Sequence, residues 1–161
     1  MTLYDADFYA WTQEQAAALR RLAGQRSNVD LDLENLAEEV ESMGREQAHA
    51  VLSAFITIIE HLLKLEFSPA NDPRRGWRTS VRNARDDLEL RLESNPALAA
   101  PEKLSGMVTN AWRHGRKRAA GALRDYGEAD AAAQVPVECP YSLEQLASSD
   151  WWPISRFGLT D

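Results

Sequence analysis

The sequence predicts an all-α fold: a helical bundle of four main helices, the second long and central, with a short helix near the C-terminus. Three observations predict it. Apolar residues recur at helical spacing over four long segments, no alternating strand pattern of useful length occurs, and glycine and proline stand mainly between segments. A chain of 161 residues suits one domain over 1–161, with 135–161 a proline-containing tail. Neither an internal repeat nor a low-complexity tract interrupts it.

The first helix is expected from about Asp5 to Ala23, with Tyr4, Phe8, Trp11, Ala18 and Leu22 on one stripe and Gly24 as its stop. The capping-box spacing of Thr12 to Gln15 also allows two pieces meeting at Thr12. After a loop through Ser27 and Asn28, the second helix begins at Asp30 or Asp32 and ends at about Phe67, before Ser68-Pro69. Leu36, Val40, Met43, Gln47, Ala50, Ala54, Ile58 and Leu65 fall on one side of it. That register survives Gly44, which suggests a kink rather than a break. Beyond residue 50, Leu52, Ile56 and Leu63 occupy the opposite side and leave Ser53, Thr57, Glu60 and Lys64 as a narrow polar strip. So narrow a wet face predicts a central helix packed on both flanks.

Asp72-Pro73 starts the third helix, which runs to about Glu93 with Trp77, Val81, Ala84, Leu88 and Leu92 on its apolar stripe. The fourth spans about Pro101 to Tyr126 and stops at Gly127. Its stripe is Leu104, Val108, Ala111, Gly115, Ala119, Ala122 and Tyr126, and the small residues midway predict a close helix crossing. Ser142 to Gln145 has capping-box spacing for the short final helix. The tandem Trp151 and Trp152 either pack back on the domain or form a contact surface.

A composition of 44% hydrophobic and 27% charged residues excludes a disordered chain. The longest apolar stretch, Val51 to Ile59, is far too short for a membrane span, and the first residues do not read as a secretory signal. A single cysteine, Cys139, excludes an internal disulfide and a multi-thiolate metal site. Its position gives no support for a nucleophile, and a structural thiol is expected. These features point to a cytoplasmic location without a membrane partner. A net charge of −7 disfavours nucleic acid as a partner, because the long-range field repels phosphate.

Charge is segregated along the chain. Glu34, Glu38 and Glu41 share one stripe, and Arg78, Arg82 and Arg85 share another, with Arg113, Arg116, Lys117 and Arg118 forming a second basic cluster. Both stripes read as solvated faces, or as faces that meet in an ion-pair network or an anion-binding groove. His61 lies between Ile58 and Leu65 on the apolar stripe, where one hydrogen bond would satisfy a core histidine; a carboxylate or arginine reaching it would make an acid/base site. The candidate polar site is therefore Glu34, Glu38, Glu41, His61, Arg78 and Arg82. Glu46-x-x-His49 matches half of a di-iron helical motif, with no second copy on another helix. There is no phosphate-binding glycine loop and no zinc motif, so no cofactor or metal is expected.

Five pieces in order carry a family resemblance: LYDADFYAW from Leu3, DLENLAEEVESMGR from Asp32, HLLK from His61, WRTSVR from Trp77 and ECPYSLEQL from Glu138. Together they resemble the bacterial family called domain of unknown function 29. The resemblance implies an all-helical fold and brings no catalytic role to transfer. The segment from Ser148 to Trp152 departs from the pattern.

No recognisable catalytic set is present, so a small interaction or regulatory module ranks first, with an unknown protein or a second copy as partner. The mainly polar first half of the second helix is expected to project in part, which favours a homodimer. A ligand-binding or enzymatic domain using the Glu/His/Arg set ranks second, and nucleic-acid contact through the basic helix faces third.

Overall fold

The computed structural model describes residues 1–25 and 28–160. The loop expected at Ser27 falls outside that range. The described residues form helices without a strand: α1 Leu3–Ala6, α2 Phe8–Gly24, α3 Leu33–Phe67, α4 Arg74–Ser94, α5 Pro101–Asp125, α6 Ala129–Gln134 and α7 Leu143–Ala147, with a 3₁₀ turn at Pro96–Ala99. No helix among them is long and apolar enough to cross a membrane.

Local chemistry sets most of the ends. The Asp32 carboxylate accepts from Asn35 N–H at 3.2 Å and opens α3. Gly127 has φ of 81°, the left-handed conformation that suits glycine. Its N–H donates to Arg124 O at 3.0 Å while Glu128 N–H donates to Leu123 O at 2.8 Å, which closes α5 in a Schellman turn. Ser142 and Gln145 form a reciprocal capping box that opens α7.

The first helix is broken at Asp7 rather than at Thr12. One Asp7 oxygen accepts from Ala10 N–H at 2.9 Å and the other from Ala97 N–H at 2.6 Å. The cap is thus held by a segment 90 residues away, while the Thr12 hydroxyl turns back to Tyr9 O inside the helix at 2.7 Å. Helix α4 begins one residue later than expected, with Pro73 at the cap position in helical conformation.

The core surrounds the second half of α3. Val51, Phe55, Ile58, Ile59, Leu62 and Leu63 are fully buried there against Trp77, Val81 and Leu88 of α4 and Ala111, Ala119 and Leu123 of α5. Helix α5 approaches most closely at Gly115, where an added Cβ would lie 2.7 Å from Ile59 Cγ2, as the small residues predict. Lys64, assigned to the wet strip, is only 5% exposed and binds Glu60 at 2.6 Å.

Around the first half of α3 the packing is different. Helix α2 is its main neighbour there, and it packs through Thr12 and Ala16 rather than through its aromatic stripe. The seam on α3 is Leu33, Ala37 and Gly44, and a Cβ at Gly44 would collide with Thr12 Oγ1. Glycine at 44 therefore admits a neighbour, and α3 remains one continuous helix through it. The expected stripe is buried at Ala54, Ile58 and Leu65 but open at Leu36 and Met43, which are 40% and 44% exposed. Arg91 of α4 lines the same groove as Ala50, and α4 ends at Ser94, so nothing on α4 reaches past the middle of α3.

Two glycines of α5 make opposite predictions. Gly115→Val should cost about 1–3 kcal/mol through overpacking against Ile59, lowering the melting temperature by roughly 3–10 °C. Gly121→Ala meets open space and should be neutral or stabilising by up to about 1 kcal/mol. Thermal unfolding followed by circular dichroism measures both.

Candidate functional site

The six polar residues singled out by sequence do not converge. Glu41 accepts from Arg20 at 2.6 Å and Glu38 accepts from Arg45 at 2.7 Å, so both belong to a surface ion-pair network between α2 and α3. The hydrogen bond from Arg20 holds the Glu41 carboxyl below its ordinary value. Glu34 lies in the first turn of α3 and adds only its field to Arg20. Arg78 and Arg82 sit on α4, whose register against α3 is fixed by Arg74 Nη1 donating to Leu65 O at 2.8 Å. That register places Arg82 near the level of Thr57, on the order of 25 Å along the axis from Glu41. The acidic and arginine stripes therefore do not face each other.

His61 joins neither stripe. Its Nδ1 donates to Thr57 O one turn back at 2.9 Å, and burial, opposed by that bond, lowers its pKa. Glu46 and His49 are exposed, and no group of three or more metal-binding side chains occurs among the described residues. Cys139 is half-buried with its thiol 3.4 Å from Tyr141 O, and burial raises its pKa, which disfavours the reactive thiolate.

The structure instead joins two features that sequence kept apart, the arginines of α4 and the tandem tryptophans. The Trp152 ring has Arg78 at 3.9 Å, Arg85 at 4.9 Å and Arg82 at 5.6 Å from its centroid. Arg85 is 4% exposed, and its Nε and Nη2 donate to Leu146 O and Gln145 O at 2.9 Å each, capping the last turn of α7. Its Nη1 has no hydrogen-bond partner among the described residues, and burial, followed by the charge of Arg78, pushes the guanidinium down to about 10. Trp151 packs edge-on against Tyr141 with centroids 5.4 Å apart. The Tyr141 hydroxyl donates to Glu66 at 2.6 Å, and its burial raises the phenol pKa. Both tryptophans thus lie half-buried against the domain. The arginine spacing was legible in sequence, but the ring that gathers it stands some 70 residues later.

A second surface lies on the arm formed by α2 and the first half of α3. Arg20 meets Glu38 and Glu41 on one flank of this antiparallel pair. At about 100° per residue, Trp11, Ala18 and Leu22 of α2 and Leu36, Val40 and Met43 of α3 fall on the other flank. Tyr4, Phe8 and Trp11 stack there with centroid distances of 4.9–5.7 Å, and Tyr4 is 53% exposed. No charged side chain among the described residues interrupts this strip, whose outer edge carries Glu14 and Arg21 on α2 and Glu39 and Glu46 on α3.

An elongated all-α bundle with a two-helix arm is the class of protein that this fold defines. The profile described as "Domain of unknown function DUF29" matches residues 3–152, and the chain belongs to that family. An alpha-helical protein of unknown function from Rhodospirillum rubrum has a similar crystal structure, with a TM-score of 0.76 and 27% identity. The match covers 94% of this chain and 92% of the other. Comparison with curated protein sequences gives no match.

The lowered pKa of His61 sets a pH prediction. Between the folded pKa and the ordinary value near 6.5, the unfolded chain holds a proton that the folded chain lacks, so stability falls as pH drops through that window. His61→Gln should flatten the slope of unfolding free energy against pH below about 6.5 relative to wild type, measured by urea titration at several pH values.

Proposed function

We propose that the protein is a cytoplasmic bacterial interaction module that works as a homodimer, a second copy covering the open flank of the α2–α3 arm. The observation that carries this reading is the apolar stripe of α3. Helix α4 covers it as far as Ala50, and beyond that point Leu36 and Met43 lie in the open beside Trp11 and Leu22 of α2.

Size and charge favour a second copy. With α2 roughly 25 Å long and two helices about 20 Å across, the flank projects on the order of 500 Å², which side-chain relief brings toward the ~800 Å² per partner of a standard interface. Its α2 edge carries the balanced pair Glu14 and Arg21, while its α3 edge carries the acids Glu39 and Glu46. A two-fold arrangement setting α2 on α3 of the other copy matches Arg21 with these acids, whereas α3 on α3 would oppose like charges. The product is a four-helix bundle whose apolar seam is shared between copies.

Sedimentation equilibrium should show a dimer at about 100 μM chain, and Trp11→Glu combined with Met43→Glu should yield a monomer of unchanged helicity. A monomeric wild-type protein at that concentration, or a double variant that still dimerises, would overturn the reading.

A further inference from the structure

Where the start of α2, the middle of α3, the 3₁₀ turn and the start of α5 meet, they leave a hollow of about 390 Å³. We propose that it binds a small apolar carboxylate, an acyl or aryl acid, with the apolar body on its floor and the carboxylate between Lys103 and His49. The hollow is separate from the proposed dimer flank. At about 100° per residue, Ala48 and Leu52 lie roughly 150° around α3 from Leu36 and Met43.

The floor is hydrocarbon. Leu98 is fully buried, and Ala48, Leu52 and Met107 are half-buried around it. At Gly106 the wall is backbone, and an added Cβ would meet nothing within 4 Å. Asp7 accepts from Ala97 N–H at 2.6 Å and Asn95 accepts from Tyr9 N–H at 3.0 Å, so Leu98 and Tyr9 belong to segments clamped together before any ligand arrives. Such prior ordering lowers the cost of binding. A volume at the small end of ligand sites suits an organic acid rather than a larger cofactor.

Charge at the rim then selects an anion. Lys103 and His49 stand on it, no carboxylate lines it among the described residues, and none of them lies within ion-pair distance of either side chain. Lys103 Nζ is instead held 4.4 Å from the centroid of the Tyr9 ring, which positions the ammonium without neutralising it. Asn110 Oδ1 accepts from Arg113 at 2.8 Å, leaving its NH₂ group as a further donor. One carboxylate can accept a charge-assisted bond from Lys103 together with bonds from these neighbours. Inorganic phosphate or an extended polyanion would leave the hydrocarbon floor uncovered.

Titration calorimetry on the full chain, with sodium octanoate as the probe, tests the assignment. A dissociation constant of about 100 μM is expected, weakened at least about tenfold by Lys103→Gln with His49→Gln. Gly106→Leu should fill the hollow and weaken binding beyond about 1 mM, with helicity and melting temperature maintained because leucine favours helix over glycine. Arg75→Gln with Arg82→Gln removes charge from α4 and should change affinity by less than about twofold. Trp11→Glu with Met43→Glu should also leave it unchanged, so this site and the dimer flank can fail separately. Tighter binding of octanoate than of naphthoate supports an acyl ligand, and the reverse supports an aryl one. No binding up to about 1 mM would overturn the proposal, as would equal affinity for octanol or octylammonium. Wild-type affinity in a folded Gly106→Leu protein, equal losses in the Lys103/His49 and Arg75/Arg82 variants, or loss of binding in the flank variant would do the same.

Discussion

A single 35-residue helix outruns the neighbours that cover it, and this inequality of length organises the molecule. At 1.5 Å per residue α3 is about 50 Å long. Helices α4 and α5 bury its second half, and α2 is the main cover of its first. Two glycines allow the close contacts that such a rod needs, Gly115 of α5 against Ile59 and Gly44 of α3 against Thr12. Backbone approach substitutes for large side chains at both crossings. The α2 contact can therefore hold while the aromatic residues of α2 remain on the outer flank.

Two of the segments that carry the family resemblance, Leu3 to Trp11 and Glu138 to Leu146, become joints of this frame. Asp7 clamps the start of α2 to the turn after α4, and Asn95 accepts from Tyr9 N–H at 3.0 Å beside it. Tyr141 ties the tail to Glu66 at the end of α3, and Arg156 N–H donates to Glu66 O at 2.9 Å. Arg85 closes α7. Hydrogen bonds between distant segments account for the polar residues Asp7 and Tyr141 at those places.

Much of the architecture was legible because helices announce themselves locally. Asp32, Gly127 and the Ser142–Gln145 pair fix element ends through chemistry within a few residues, and the apolar period of α3 gives Ala54, Ile56, Ile58, Leu63 and Leu65 of its second-half core but not the fully buried Val51, Phe55, Ile59 and Leu62. The break at Asp7 was not legible, since the Ala97 N–H that Asp7 binds lies 90 residues away. Nor was the fate of Tyr4, Trp11, Leu36 and Met43, because a helical period shows which residues share a side but not whether a neighbour reaches it. The separation of the acidic stripe from Arg78 and Arg82, and the gathering of those arginines on Trp152, likewise depend on register between elements. Sequence by itself determined helices, caps and stripes, which arise from contacts within a few turns. Only the tertiary structure decided which stripe is covered and which charges meet, because those outcomes depend on where one helix ends beside another.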